Sequence, residues 1–420
     1  MTEFLGEKKL SLNTGQRKEA VAKQIAYNIY ALQYFGSSNA TLIIGDKGCI
    51  LVDAFETDGY AAEAKNKIQT ITDKPITHII YTHTHADHIG GASVFSDSVQ
   101  SVISHKNNVP VIGRQNKIAL EGQRRAVRQF GATLSPEEAL SLGISPVFPQ
   151  KGKVNPLPIT QWIKEEAIEL VIEGVKIQFI AAPGETDDEM AVWFPDQKVM
   201  CGGDNYYACW PNLSALRGST YRDVDQWVNS LKKYLDYPVE FFIPGHGEIL
   251  TGNSTFREVI GTYSEAIEWV LDETLKGINA GKSPNELVDT IQLPEKWREI
   301  PYLQEYYGTV AWSIRGIYAG YVGWFDGNPT HIDRLPEKER AEKMVIQMGG
   351  VEAVIHAIQE ALAQKDMQWT LELCDILLDA QIKLSDARKW KAHACEYLGR
   401  MQTSANGRHY YLSYAKELLN

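Results

Sequence analysis

The first part of the chain alternates short apolar runs with turn residues, a pattern that is typical of β-strands. The turn Gly45-Asp46-Lys47-Gly48 separates two such runs and predicts a hairpin over Asn39 to Asp53. A helical stretch follows from about Gly59 to Thr70, and an apolar strand is predicted over Ile76 to Tyr81. The chain therefore begins as an ordered succession of strands and helices.

Beyond about Thr255 the apolar residues recur instead with a period near 3.6, which predicts amphipathic helices. The run Val351, Val354, Ile355, Ile358 and Leu362 shows this period. The short antiparallel helices resemble tetratricopeptide-like hairpins, although consensus repeats are not clear. The change of pattern predicts two domains, one over residues 1–252 and an all-helical one over residues 253–420.

The strand that ends at Tyr81 leads into a loop with three histidines and an aspartate within six positions, His83-Thr84-His85-Ala86-Asp87-His88. Imidazole and carboxylate are the usual ligands of catalytic zinc, and a metal with an open coordination position can hold an activated water. His83 and His85 point the same way, whereas Asp87 and His88 continue around the turn towards a second point. One loop can thus serve two metal ions, which indicates a binuclear metallohydrolase.

This order of elements, together with the HxHxDH motif, resembles the metallo-β-lactamase superfamily over roughly the first 250 positions. The resemblance implies an α/β (α+β) fold class, with a four-layer αββα sandwich in the first domain. It also implies that the metals lie at one edge of the two sheets and take further ligands from the ends of later strands.

One of these further ligands follows the predicted strand Val175 to Ala181. The chain has no histidine between His105 and His246, so a carboxylate must stand where many relatives carry histidine. Glu185 is the preferred candidate in a loop that also contains Asp187, Asp188 and Glu189.

The remaining ligands follow two more predicted strands. Asp204 comes after the strand that ends at Cys201, at the position of the bridging carboxylate in the superfamily, and His246 comes after Phe241 to Ile243. The implied ligands are His83, His85 and Glu185 for one zinc, Asp87, His88 and His246 for the other, and Asp204 between them. A hydroxide held by the two zinc ions is the expected nucleophile, because zinc lowers the pKa of bound water. Asp87 and Asp204 are the expected catalytic carboxylates.

A narrower resemblance points to the alkylsulfatase branch of the superfamily, which also uses a glutamate as third ligand. It rests on Gly203-Asp204-Asn205, on the segment from Pro211 to Asp223, and on Gly323 to Pro329. The resemblance implies that Asn212 and Arg217 hold the sulfate group, and a guanidinium suits a tetrahedral oxyanion well. A direct role for Arg222 stays open. Asp204 is one methylene shorter than the glutamate that relatives usually place there.

The helical second part corresponds to the dimerisation domain of the alkylsulfatases, which implies a homodimer. A peptide-binding surface is the alternative. The best-known relatives continue into a lipid-carrier-like domain. Such a domain is not expected in this protein, so long-chain detergents are the weaker expectation as substrates.

Composition restricts the partners. The formal net charge of −11 argues against nucleic acid and slightly disfavours an anionic membrane surface. No apolar run is long enough to span a bilayer, and the first residues do not resemble an export signal. Five cysteines without a CxxC spacing fit a reducing compartment. A cytoplasmic location is expected, with a removed export signal as the alternative.

The sequence therefore predicts a binuclear zinc hydrolase that converts alkyl sulfate esters to alcohol and inorganic sulfate. Another hydrolase of the same fold, acting on a thioester, lactone, phosphodiester or β-lactam, is one alternative, and a non-catalytic helical interaction protein is another. Residues 107–166 receive no catalytic role, and His105 is expected to be structural. Tyr206 and Tyr207 are general-acid candidates only because they are close to Asp204 in sequence.

Overall fold

A computed structural model describes residues 4–14, 19–106 and 117–420 of the chain. The chain divides into two compact units, one comprising residues 14–119 and 144–321 and the other comprising residues 1–13, 120–143 and 322–420. The predicted boundary between residues 252 and 253 lies inside the first unit and stays a prediction. Residues 107–116, part of the segment that received no catalytic role, lie outside the described residues.

The first unit contains a seven-stranded sheet with the strands in sequence order. Its strands are β1 (Val21–Ala26), β2 (Ile29–Gln33), β3 (Ala40–Ile44), β4 (Cys49–Val52), β5 (Ile76–Ile80), β6 (Ser101–His105) and β7 (Gln161–Ile163). Pairing is antiparallel from β1 to β4 and parallel from β4 to β7. The predicted hairpin is confirmed as β3 and β4, and the predicted strand before the histidine loop is β5.

A second, six-stranded sheet in the same unit has the order β13-β12-β11-β10-β9-β8. Its strands are β8 (Ala167–Ile172), β9 (Val175–Ala181), β10 (Met190–Phe194), β11 (Val199–Cys201), β12 (Phe241–Ile243) and β13 (Leu250–Thr251). All neighbours are antiparallel except β11 and β12, which are parallel. Strands β9, β11 and β12 therefore run in the same direction, and their carboxyl ends lie at the same edge of the sheet.

Helices accompany the sheets in the first unit. They span Asp58–Gln69, Ala86–Ile89, Val224–Tyr234, Asn253–Asn279, Pro284–Thr290, Glu295–Arg298 and Val310–Val322, with short 3-10 turns at Ala92–Phe95, Gly203–Asn205 and Pro301–Leu303. The helix from Val224 begins where the carboxylate of Asp223 accepts the backbone N–H groups of Asp225 and Gln226, a common N-terminal cap.

Alternating side chains on the strands build the layers of the first unit. On β4, Ile50 and Val52 pack between the two sheets, whereas Cys49 and Leu51 face the layer that contains the helix Asp58–Gln69. The outer face of the second sheet is covered by the helices Val224–Tyr234 and Asn253–Asn279, which contribute buried side chains such as Trp227, Leu231, Phe256 and Ile260. The predicted αββα sandwich is confirmed.

The second unit is helical throughout the part that the structure describes. Its helices are Leu5–Thr14, Ala119–Gln129, Pro136–Ala139, Glu337–Gln347, Val351–Gln364, Met367–Asp379, Leu384–Met401 and Ala405–Leu419, with a 3-10 turn at Pro329–His331. Val354, Ile358, Leu373 and Leu377 belong to its main core, as the helical period predicts. Within the described ranges, no helix of either unit has both the length and the hydropathy needed to cross a bilayer.

Candidate metal centre

The loop after β5 carries its histidines to the edge where β9, β11 and β12 end. His83 and His88 are fully buried with their ring centroids 4.3 Å apart, and Asp87 and His88 lie on the short helix Ala86–Ile89. Asp204 lies in the 3-10 turn after β11, and His246 follows β12. Three separated pieces of the chain thus meet at one place.

Asp87, His88 and His246 form one cluster, in which one possible ligand atom from each residue lies within 4.8 Å of the others. Nε2 of His246 lies 3.2 Å from Oδ2 of Asp87, and Nε2 of His88 lies 3.6 Å from the same oxygen. Nδ1 of His246 lies 2.7 Å from the carbonyl oxygen of Ser37. Because a carbonyl only accepts hydrogen bonds, Nδ1 carries the proton and Nε2 is left as a ligand atom.

His83, His85 and Asp204 form a second cluster that meets the same 4.8 Å criterion. Nε2 of His83 lies 3.1 Å from Nδ1 of His85 and 3.7 Å from Oδ2 of Asp204. Two imidazole nitrogens therefore face each other across a gap that a cation would fill.

The carboxylate of Asp204 lies between the two clusters. Oδ1 is 3.3 Å from Nε2 of His88, and Oδ2 is 3.2 Å from Nε2 of His246 and 3.7 Å from Nε2 of His83. Oδ1 is buried and has no hydrogen-bond partner among the described residues. A buried carboxylate oxygen without a donor is costly unless a cation compensates it, so this position fits a divalent metal.

Glu185 is buried beside the second cluster but makes other bonds as well. Its Oε1 lies 3.7 Å from Nδ1 of His85 and 2.8 Å from Nη2 of Arg222. The hydroxyl of Tyr207 donates to Oε2 at 2.8 Å. Burial raises the pKa of the Glu185 carboxyl, and the guanidinium of Arg222 opposes that rise. The structure thus brings Glu185 to the site, already held by two donors.

The pKa values of the histidines reflect the charges around them. Burial lowers the pKa of both His83 and His85 well below the usual value, which keeps these imidazoles neutral and able to bind a cation. Burial also acts to lower the pKa of His246, but the carboxylates of Asp204 and Asp87 outweigh it and raise that pKa to about 10. The two carboxylates therefore favour positive charge at His246, which either a proton or a metal ion can supply.

Two carboxylates that support the clusters were not predicted as functional. Asp53, directly after β4, lies 2.9 Å from Nδ1 of His88 and accepts the backbone N–H of Thr82. Glu189 accepts the backbone N–H of Asp204 at 2.7 Å and lies 3.5 Å from Nδ1 of His83. For Asp53, the signal in the sequence is a carboxylate at the end of a buried strand next to the histidine loop.

The residues expected to hold sulfate lie beside the second cluster. Nη2 of Arg217 is 3.3 Å from Nε2 of His85. Asn212 is buried, its backbone N–H donates to the hydroxyl of Tyr207 at 2.8 Å, and its Oδ1 has no hydrogen-bond partner among the described residues. Arg222, whose role the sequence leaves open, is buried against Glu185.

Three other residues, His105, Tyr206 and Cys201, lie outside the two clusters. His105, at the end of β6, is buried and belongs to neither cluster. Tyr206 packs edge-on against Phe242 and Tyr263 in the core. Burial raises the pKa of the Cys201 thiol to about 12, so the thiol stays protonated beside Thr41.

Comparisons with known proteins agree with this geometry. The family model of the metallo-beta-lactamase superfamily matches residues 34–246, and that of the alkyl sulfatase dimerisation domain matches residues 283–420. The chain is 32% identical over 393 residues to a linear primary-alkylsulfatase of a Pseudomonas species, which covers 90% of this chain and 73% of that relative. It is 30% identical over 414 residues to the alkyl/aryl-sulfatase BDS1 of Saccharomyces cerevisiae, with 94% of this chain and 63% of the yeast protein covered.

A solved structure is similar over almost the whole chain. The stereoselective inverting sec-alkylsulfatase Pisa1 from a Pseudomonas species superposes with a TM-score of 0.90 at 25% sequence identity, covering 98% of this chain and 67% of that one. The chain thus spans less than two thirds of the yeast relative and about two thirds of the structural one. It belongs to the metallo-beta-lactamase superfamily and, within it, to the alkylsulfatases that carry the alkyl sulfatase dimerisation domain.

Proposed function

We propose that the protein hydrolyses alkyl sulfate esters to an alcohol and inorganic sulfate with the help of two zinc ions. The observation that carries this proposal is the position of Asp204, whose carboxylate lies within 3.7 Å of histidine nitrogens from both ligand clusters in one buried site. Two clusters with a carboxylate between them suit a pair of divalent ions. The alkylsulfatase relatives point to the sulfate ester as the substrate.

Seven side chains are proposed to hold the zinc ions. They are His83, His85 and Glu185 on the first, Asp87, His88 and His246 on the second, and Asp204 between the two. Neutral imidazole and carboxylate form the donor set that zinc prefers at catalytic sites. When bound, the zinc ions lower the pKa of coordinated water and so make a hydroxide nucleophile available near neutral pH.

Other residues prepare these ligands. Asp53 accepts a hydrogen bond from Nδ1 of His88, and the carbonyl of Ser37 accepts one from Nδ1 of His246. Nε2 of each histidine is thereby left to bind the second zinc ion. Glu189 holds the backbone of Asp204 and thereby fixes the carboxylate between the clusters. Ligands that are oriented before the metal arrives lose little entropy when they bind it.

Arg217 and Asn212 are proposed to hold the sulfate group of the substrate. The guanidinium of Arg217 lies beside His85, a proposed ligand of the first zinc, and presents several N–H donors in one plane, which suits a tetrahedral oxyanion. A sulfate monoester keeps a negative charge at all physiological pH values, so a fixed cation beside the zinc ions favours it over an uncharged ester.

The test combines metal analysis with two substrates. The purified protein is assayed on hexyl sulfate and on p-nitrophenyl butyrate, and its metal content is measured by mass spectrometry before and after dialysis against a chelator. We expect two zinc ions per chain and sulfate release that is lost on chelation and restored by zinc. Butyrate hydrolysis without sulfate release would identify another hydrolase of this fold, and a metal-free protein without either activity would favour an interaction protein.

We further propose that the protein is a homodimer. The alkyl sulfatase dimerisation domain matches residues 283–420, which are mostly helical. Sedimentation equilibrium is expected to give twice the mass of the chain across the micromolar range, and a single-chain mass would contradict the proposal.

A further inference from the structure

Arg222 is a buried cation that the proposed function leaves without a task. Its side chain is 2% exposed, and Nη2 donates to Oε1 of Glu185 at 2.8 Å. Burying a guanidinium is unfavourable unless it is paired and hydrogen-bonded. The position of this pair next to the ligand cluster therefore suggests a role other than stabilising the fold.

The other end of the same guanidinium reaches a different segment. Nη1 of Arg222 donates to the backbone oxygen of Asn212. One rigid, planar group thus connects Glu185 to the segment that carries Asn212. A lysine ammonium has no such fork and cannot hold two acceptors in this geometry.

Tyr207 closes the arrangement from the opposite side. Its hydroxyl donates to Oε2 of Glu185 and accepts the backbone N–H of Asn212, each at 2.8 Å. The backbone N–H of Glu185 in turn donates to Oδ1 of Asn205 at 3.1 Å. Both carboxylate oxygens of Glu185 therefore have a donor, which fixes the plane of the carboxylate.

This arrangement leaves Glu185 able to bind a metal. Each carboxylate oxygen has two acceptor positions, so Oε1 can accept from Arg222 and still face Nδ1 of His85, which is 3.7 Å away. The positive charge of Arg222 also favours the ionised carboxylate, which is the form that binds a cation.

We propose that Arg222 is a positioning residue that holds Glu185 in place as a ligand of the first metal and connects this ligand to the segment carrying Asn212. The inference rests on the proposed function in that it requires a metal ion bound by His83 and His85. Removing the guanidinium is expected to weaken the first metal position and to leave the second, formed by Asp87, His88 and His246, as it was.

The test is a titration of metal-free protein with Co²⁺, followed by visible absorption and by metal counting. Wild-type protein is expected to bind two Co²⁺ ions per chain. In Arg222→Gln we expect one of the two to bind about 10- to 100-fold more weakly, the usual effect of losing a partner of a metal ligand, with altered absorption bands. Arg222→Lys keeps the positive charge and is expected to lose less Co²⁺ affinity than Arg222→Gln.

A matched control separates this role from a structural one. Arg408 is another buried arginine, paired at 3.0 Å with Glu7 in the helical unit. Arg408→Gln is expected to lower thermal stability and to leave both Co²⁺ affinities and the absorption bands unchanged. If Arg408→Gln weakens Co²⁺ binding as much as Arg222→Gln does, the effect is structural and the proposal is wrong.

The remaining outcomes are equally decisive. Unchanged binding of both ions by Arg222→Gln, in a protein that still releases sulfate from hexyl sulfate, would overturn this inference and leave the proposed function intact. If Arg222→Gln does not fold, Tyr207→Phe takes its place, since it removes the other side-chain donor to Glu185 and should weaken the same Co²⁺ step. A wild-type protein that binds no Co²⁺ would overturn both proposals.

Discussion

Nδ1 of His88 lies 2.9 Å from Oδ2 of Asp53, so a residue at the end of β4 determines how a histidine 35 positions later presents its other nitrogen. The carboxylate is itself held by the backbone N–H and the hydroxyl of Thr82. This relationship places Nε2 of His88 opposite Asp204 before any metal is bound. The site is thus organised by residues that are not its ligands.

The Asp53→Asn variant tests this relationship. An amide can offer its NH₂ group to Nδ1 and so favour the wrong tautomer of His88. We expect one metal ion to bind about 10- to 100-fold more weakly, as measured by zinc competition with a chromophoric chelator. The control is Asp46→Asn, which changes an exposed aspartate in the turn before β4 and should bind both ions normally. Normal zinc affinity in Asp53→Asn would show that His88 does not depend on this carboxylate.

Substitution of Arg217 is expected to affect the substrate rather than the metal. Loss of a hydrogen bond to a charged group costs about 1.5–3 kcal/mol, which corresponds to about 10- to 100-fold in kcat/KM for hexyl sulfate in Arg217→Gln. The kcat/KM of Arg217→Lys should lie between the values for Arg217→Gln and wild type. Zinc content should be unchanged in both. Arg315→Gln, which removes an exposed arginine bonded to Asn285, is the control. A fall in zinc content would reassign Arg217 to metal binding.

Gly203 is expected to tolerate no side chain. It has a φ of +56°, and an added Cβ would lie 1.8 Å from Oε1 of Glu189, the atom that accepts the N–H of Asp204. Gly281 is the control, because it has a φ of +77° with open space around it. Gly281→Ala should therefore measure only the cost of a left-handed backbone conformation for alanine, about 1–2 kcal/mol. We expect Gly203→Ala to lower the free energy of unfolding in urea by about 1–3 kcal/mol more than Gly281→Ala does. Equal losses would mean that Glu189 moves away freely.

A pH-dependent contribution to stability is expected from Glu7 in the helical unit. Burial acts to raise the pKa of its carboxyl, but hydrogen bonds from Arg400 and Arg408 outweigh this and lower it from 4.5. A lowered pKa means that the stabilisation is present above pH 4.5 and is lost as the pH falls through the folded-state value. Glu7→Gln should therefore cost about 1–3 kcal/mol at pH 7 and clearly less near pH 3, measured by urea unfolding.

The control for this prediction is Glu372→Gln, at an exposed position in the middle of the helix Met367–Asp379. Its difference from wild type should be small and independent of pH. A Glu7→Gln difference that stays constant from pH 7 to pH 3 would show that the charge of Glu7 contributes nothing.

The sequence predicts the fold of the first unit and the place of the histidine loop well, for a physical reason. Strands are recognised from short local patterns of apolar residues. The local pattern therefore places His83, His88, Asp204 and His246 near the ends of strands. The partners of these residues have no such signal. Arg222 looks like a surface arginine at a helix start, and only tertiary packing buries it against Glu185.

The sequence also does not predict which helices make up the helical unit. Its members include the helix Leu5–Thr14 and residues 120–143 as well as the C-terminal helices. Helical periodicity predicts each helix separately, but it does not say which helices pack together, because that depends on pairings far apart in sequence. The ligand roles of the seven metal-site residues likewise stay predictions until metal binding is measured.

The contact between Glu7 and Arg400 joins residues that are 393 positions apart. During synthesis, the first helix leaves the ribosome long before Arg400 has been translated, so this contact cannot form until the chain is nearly complete. Closure of the helical unit is therefore a late event governed by long-range contacts, which are slow to form. Ribosome-bound chains stalled before Arg400 are expected to expose this first helix to proteases.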